Sequence, residues 1–188
     1  MSYTKQHKLI AFTGKAGSGK TTAAEILVNK LGYQCVSIAT PLKAMVAKLL
    51  SYYEDTNVDT NNKEAILYEL GVSYRHICQT LGTEWGRNCI SSYLWTNIAE
   101  QRIVRLLTHS NVVVDDIRFP EEAAMIKRLG GKLIHIESII ASGAAAGAAA
   151  EHISETALTK DRYDWHLVNY KDGADKLEQV LLVRLRGE

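Results

Sequence analysis

Two hydrophobic periods alternate along this chain. Lys8-Leu9-Ile10-Ala11-Phe12-Thr13 is a short apolar run of the kind that forms a buried strand, and Thr22 to Leu31 carries the spacing of an amphipathic helix. Gln34 to Ala39 predicts a second strand. Thr40 then stands as N-cap and Pro41 at the first helical position of a helix running from Leu42 towards Tyr52. Asp55 to Asn62 is a polar linker, Lys63 to Leu70 predicts a short helix and Ser73 to Leu81 another. Tyr93 to Thr108 predicts a longer helix with Ile98, Ile103, Leu106 and Leu107 as its apolar residues. The β-branched run Asn111-Val112-Val113-Val114-Asp115-Asp116 predicts a parallel strand inside a sheet. A helix from Phe119 to Leu129 is stopped by Gly130-Gly131, a strand covers Lys132 to Glu137, and strand Trp165–Asn169 and helix Asp175–Arg186 close the chain.

Strands alternating with helices predict an α/β fold of three layers, a largely parallel sheet with helices on both faces. At 188 residues the expectation is one domain, residues 1–188. The stretch from about Leu42 to Thr108 is too long for a simple crossover, so residues 42–108 are expected to form an inserted helical lobe. Charge is balanced, with 22 basic and 21 acidic residues and a net charge of +1. No basic stripe is present, which argues against a nucleic-acid polymer as partner. Cys35, Cys78 and Cys89 are far apart and form no C-x-x-C pair, which argues against disulfides or zinc and for a reducing compartment. Met1 to Lys8 is polar, so no signal peptide is expected, and no run is long and apolar enough to span a bilayer. These features predict a cytoplasmic protein with no membrane partner.

Between the first strand and helix, Gly14-Lys15-Ala16-Gly17-Ser18-Gly19-Lys20-Thr21 is a complete G-x-x-x-x-G-K-[ST] phosphate loop. Such a loop wraps backbone N–H groups around the β- and γ-phosphates, and the following helix N-terminus adds positive potential there. Gly14 to Thr21, with Thr22, are therefore the expected ATP-binding residues; Lys20 reaches the transferred phosphate and the Thr21 hydroxyl suits Mg²⁺. The loop alone does not separate kinases from other nucleotide-driven proteins. A base-specifying N-K-x-D is absent, which argues against a GTPase, and a motor usually needs a larger chain. Basic and aromatic residues accumulate instead in the inserted lobe: Lys43, then Arg75 and Gln79 four apart on one helical face, then Arg87 and Trp95. That distribution favours a small-molecule kinase.

The phosphate loop, Pro41-Leu42-Lys43, Gln79-Thr80-Leu81-Gly82-Thr83-Glu84 with Arg87 and Trp95, Asp116-Ile117-Arg118 with Glu122, and His152-Ile153-Ser154-Glu155 occur in this order. Together they resemble the deoxynucleoside monophosphate kinases of tailed bacteriophages, over nearly the whole chain. The resemblance implies a P-loop core, a helical acceptor-binding lobe and a mobile lid, here residues 138–160. It implies transfer of the γ-phosphate of ATP, with Mg²⁺, to a deoxynucleoside monophosphate, in the host cytoplasm if the protein is phage-encoded. Lys20, Asp116 and Arg118 are then the expected catalytic residues, and Thr21 and Asp116 the metal ligands. Lys43, Arg75, Gln79, Arg87, Trp95, Arg118 and Glu122 are the expected acceptor-binding residues. Each has a plainer alternative. Arg118 pairs with Glu121 or Glu122, Asp115 or Asp116 caps a strand end, Lys43, Arg75 and Arg87 are solvated surface charges, and Trp85 and Trp95 are core. His152 is structural.

Other activities remain open at this stage. A dephospho-coenzyme-A kinase would share the loop and the helical insertion. A kinase of neutral metabolites would need a base, Asp116 or Glu84. A nucleotide-dependent switch would bind ATP without an acceptor. The bases accepted and the oligomeric state, a homodimer included, are not readable. Ala141 to Ala150 contains only Ala, Gly and Ser. It is either a flexible linker, with lid chemistry moved to Arg118, Lys160 or Arg162, or alanine and glycine standing in for native side chains. Its lack of chemical variety favours the second.

Overall fold

The computed structural model describes residues 7–53, 62–68, 70–138, 163–170 and 174–186. The expected lid and the Ala/Gly run lie outside these residues, Ser138 excepted, as do His152, Lys160, Arg162 and most of the linker before Asn62. Two compact units are formed, Met1–Ser37 with Ala99–Glu188, and Ile38–Ile98.

Among the described residues the first unit is built on a parallel sheet of five strands in the order β2-β5-β1-β6-β7: β1 Leu9–Thr13, β2 Gln34–Val36, β5 Val112–Ile117, β6 Lys132–Ser138 and β7 Trp165–Asn169. Every residue of β1 is buried, as its unbroken apolar run requires of a strand covered on both faces. Alternate residues divide between the two faces. Ile10, Phe12, Val113, Ile134, Ile136 and Leu167 form one core with Ala23, Ala24 and Leu27 of α1 (Lys20–Leu31) and Leu177, Leu181 and Leu185 of α6 (Ala174–Arg186). The opposite face meets α5 (Pro120–Arg128). A side chain at Gly131 would strike both Leu9 of β1 and Ile126 of α5, so glycine lets the helix turn back onto the sheet at that point. Asp164 ties the start of β7 into this layer. It accepts from the Leu133 N–H at 2.7 Å and lies 2.5 Å from the Lys127 ammonium.

The second unit departs further from expectation. Its helix α2 (Thr40–Leu50) begins one residue early, so Thr40 is helical and Ala39 is the cap, with no side-chain bond. The described residues from Lys63 to Leu70 form no helix. Turns there surround β3 (Ile66–Leu67), which pairs antiparallel with β4 (Val72–Ser73); Gly71, at φ 65°, permits the reversal. The lobe is therefore not all-helical. Ser73 caps α3 (Tyr74–Gln79) by accepting from the His76 N–H.

Helix α3 then continues into a π-helix, Thr80–Ile90, where an ordinary helix was expected to end at Leu81. Trp95 packs against the widened stretch. The buried Trp95 indole donates from Nε1 to the Gly82 carbonyl at 2.8 Å, the oxygen that would accept from Gly86 in an α-helix. Gly86 lies directly against the same indole, where a Cβ would sit 2.6 Å from Nε1. Helix α4 (Leu94–Leu107) matches the expected span, yet its buried residues include Trp95, Ala99 and Ile103, while Ile98 is exposed. It contains the division between the units, so the second unit ends at Ile98 rather than near Thr108.

Candidate active site

Strand β1 delivers the chain into the loop Gly14–Gly19, and α1 begins at Lys20. The backbone takes positive φ at Gly14, Gly17 and Gly19 (143°, 72° and 107°), which only glycine adopts readily. At Gly14 a side chain would also collide with the carbonyl of Ile136 on the adjacent β6. Lys20 is 8% exposed, and its ammonium donates to the carbonyls of Gly14 (2.6 Å) and Lys15 (2.9 Å), drawing the loop around the lysine. Lys15, Ala16 and Gly17 are exposed at the crest of the loop, while Ser18 is buried beneath it. The exposed Thr21 and half-buried Thr22 follow on the first turn of α1.

Strand β5 runs parallel to β1 in simple register from Leu9↔Val112 to Ala11↔Val114, and then slips to Thr13↔Ile117. The extra residue lies at Asp115–Asp116, a bulge beside the phosphate loop that re-aims the strand's side chains. Asp116 Oδ1 lies 3.5 Å from the Lys20 ammonium. Asp116 Oδ2 accepts from Arg118 Nε at 2.7 Å and lies 2.7 Å from Arg118 Nη2. Partial desolvation, and then repulsion from Asp115, push the exposed Cys35 thiol up to about 11. The structure thus joins Lys20, Asp116 and Arg118 in a cation–anion–cation chain.

The Arg118 guanidinium is 41% exposed and turned to Asp116, not to the glutamates of α5. Glu122, expected at the acceptor, is turned to the backbone of the α5 N-terminus. It is 3% exposed, and its Oε2 accepts from the backbone N–H groups of Arg118 (2.8 Å) and Phe119 (3.1 Å). That is half of a capping box, in which the N3 glutamate satisfies the N-cap of α5 and fixes the turn carrying Arg118. One contact went unread in the sequence: Asn169, the last residue of β7, donates from Nδ2 to the Ser18 carbonyl at 2.9 Å. Nothing in a strand-end asparagine signals a partner 151 residues away.

The remaining expected residues belong to the second unit. Lys43 is exposed on the first turn of α2. Arg75 is exposed and ion-paired with Glu64. Gln79 is half-buried at the end of α3, and Arg87, in the π-helix, lies with Nη1 3.4 Å from the Ser92 carbonyl. Trp95 is 4% exposed and bonded to Gly82, so it supports the π-helix from within; Trp85, 41% exposed, lies 6.4 Å from it.

Mg²⁺ prefers carboxylate and hydroxyl oxygens. Asp116 Oδ1 is buried and accepts no hydrogen bond among the described residues, which fits a ligand for such an ion. No helix among the described residues is long and apolar enough to cross a membrane.

The family model for deoxynucleotide monophosphate kinase matches residues 51–180. A protein of Acanthamoeba polyphaga mimivirus, provisionally named deoxynucleotide monophosphate kinase, is 31% identical over 188 residues, spanning 92% of this chain and 94% of its own length. The deoxynucleoside-5'-monophosphate kinase of Escherichia phage T5 is 28% identical over 131 residues, 68% of this chain and 51% of that protein. Among solved structures, the Mycobacterium tuberculosis APS kinase CysC shares the fold at a TM-score of 0.53 and 15% identity, over 96% of this chain and 98% of its own.

Proposed function

This chain belongs to the deoxynucleotide monophosphate kinase family, and from that premise we propose that it phosphorylates deoxynucleoside monophosphates with ATP. The observation that carries the reading is the contact chain Lys20–Asp116–Arg118 beside a complete phosphate loop. An oxygen of the acceptor monophosphate attacks the γ-phosphorus in line, the bond to the β-phosphate oxygen breaks, and ADP leaves with a deoxynucleoside diphosphate as product. The attacking oxygen is already anionic, so no strong general base is required. Catalysis reduces to positioning and charge neutralisation.

We assign each residue a part that its place supports. Gly14 to Thr22 hold the triphosphate through loop N–H groups and the N-terminus of α1. Lys20 leaves its carbonyl partners for the γ-phosphate. Arg118, on the turn held by Glu122, clamps the acceptor phosphate and stabilises charge developing during transfer. Asp116 orients both cations. Thr21 and Asp116 would hold Mg²⁺, which supplies further charge neutralisation on the β- and γ-phosphates. In the second unit Lys43, Gln79 and Arg87 are the acceptor-binding residues we propose, with Arg75 joining them by exchanging Glu64 for a phosphate. Trp95 contributes through the backbone it supports. A cytoplasmic setting, that of an infected host if the protein is viral, suits these substrates.

A panel of acceptors tests the reading. ADP release is followed with each deoxynucleoside monophosphate, with the ribonucleotides and with dephospho-coenzyme A. Turnover with at least one deoxynucleoside monophosphate, well above dephospho-coenzyme A, is expected. Turnover with dephospho-coenzyme A alone, or with no acceptor at all, overturns it.

A further inference from the structure

Asn169 is the last residue of β7, the outermost strand on that side among the described residues, and pairs in register with Ser138 of β6. Its side chain reaches across to the phosphate loop, donating from Nδ2 to the Ser18 carbonyl at 2.9 Å. A second observation places it against the same peptide. Gly19 has φ 107°, and a Cβ there would collide with Asn169 Nδ2 and lie 3.5 Å from Leu177 of α6. The Ser18–Gly19 peptide is therefore backed on one side by Asn169 and Leu177.

A trans peptide points its C=O and the following N–H in opposite directions. No cis peptide bond occurs among the described residues. A carbonyl held at Ser18 from the β7 side thus turns the Gly19 N–H away from β7. Gly19 is also the N-cap of α1, so this N–H belongs to the positive end of that helix. Glycine alone would leave this peptide free to flip, because both orientations are open to it. An asparagine amide donates here without adding a negative charge beside the phosphates. An aspartate of the same size would present an oxygen to the Ser18 oxygen and repel the ligand.

We infer that Asn169 is a positioning residue of the donor site, holding the Ser18–Gly19 peptide so that the Gly19 N–H faces the phosphates of ATP. This rests on the reading of the loop as the ATP-phosphate site. Strand β7 and the phosphate loop are thereby coupled: β7 has to be in register for the loop to hold its binding shape.

The test compares Asn169→Ala and Asn169→Asp with the wild type in the full chain. ADP binding is measured by calorimetry, KM is measured separately for ATP and for the acceptor, and thermal melting reports the fold. Losing one oriented hydrogen bond predicts that Asn169→Ala weakens ADP binding and raises KM for ATP by about tenfold. Asn169→Asp does so more strongly. KM for the acceptor stays within about twofold in both, and melting changes little, a split that general loosening of the fold would not produce. Unchanged ADP affinity in folded Asn169→Ala and Asn169→Asp proteins overturns the inference, as does an equal rise in both KM values. The calorimetric arm needs no turnover. Weakened ADP binding in the variants of a protein that phosphorylates no deoxynucleoside monophosphate would sustain this inference while the kinase reading failed. An active wild type with variants that bind ADP normally would do the reverse.

Discussion

Replacing Arg118 by lysine keeps the positive charge and removes the planar fork. In the structure two guanidinium nitrogens, Nε and Nη2, each lie 2.7 Å from Asp116 Oδ2. An ammonium group can keep at most one of these contacts, and it cannot grip a phosphate through two parallel N–H bonds. A hydrogen bond to a charged group contributes roughly 1.5–3 kcal/mol. The side chain is 41% exposed, so solvent screening favours the lower end. A loss of about 1.5 kcal/mol corresponds to roughly a tenfold fall in kcat/KM for the acceptor. Steady-state kinetics with ATP saturating and the deoxynucleoside monophosphate varied reads this directly, and calorimetry with ADP reads the donor site. ADP affinity is expected to stay within about twofold, because the loop and Lys20 are untouched. Full activity in Arg118→Lys would refute the role of the fork. An equal weakening of ADP binding would assign Arg118 to the donor site.

Three further outcomes follow from the same geometry. Lys20→Ala removes the buried ammonium shared by the loop and Asp116, and should lower kcat by roughly a hundredfold or more. Circular dichroism should show the fold retained, and near-normal turnover would contradict the phosphoryl-transfer account. Gly86→Ala places a methyl 2.6 Å from the Trp95 indole, and overpacking of this kind costs about 1–3 kcal/mol. Denaturant unfolding should show that loss although alanine is the better helix former, and a stabilised variant would contradict the packing described. Burial raises the pKa of Asp164, but the bonds from Lys127 and the Leu133 N–H outweigh it and hold the carboxyl below its usual value. Its contribution is therefore present at neutral pH and lost as pH falls through the folded-state value. Asp164→Asn should lower Tm at pH 7 by about 2–4 °C, for roughly 1 kcal/mol in a chain of this size. The gap to wild type should shrink below about pH 4, and a gap that widens there would refute the assignment.

Strand positions and the phosphate loop were legible because each depends on neighbours in sequence. A buried parallel strand needs an unbroken apolar run, as Leu9–Phe12 and Val112–Val114 provide, and the loop needs its glycines at fixed spacing. The lobe was less legible for a physical reason. Gln79 to Ile90 reads as ordinary helix followed by loop, whereas the structure continues it as a π-helix whose Gly82 carbonyl accepts from the Trp95 indole, a contact between residues too far apart to read locally. Ile66–Leu67 is too short a run for strand and helix to be told apart without its partner, Val72–Ser73. In the site, Asp116 and Arg118 stood out by their place at a strand's C-terminal end. The cap contacts of Glu122 are not legible in the sequence, since only the fold shows its carboxylate turned to backbone N–H groups. Asn169 carried no local signal, because its contact joins opposite ends of the chain.

The central claim is that the loop, Lys20, Asp116 and Arg118 together move a phosphate from ATP to a deoxynucleoside monophosphate. Anion-exchange chromatography of a reaction containing ATP, Mg²⁺ and a mixture of the deoxynucleoside monophosphates tests it most directly. The account predicts a deoxynucleoside diphosphate formed mole for mole with ADP by the wild type, with little of either formed by Lys20→Ala. ADP accumulating with no deoxynucleoside diphosphate, or equal product from Lys20→Ala, would contradict it.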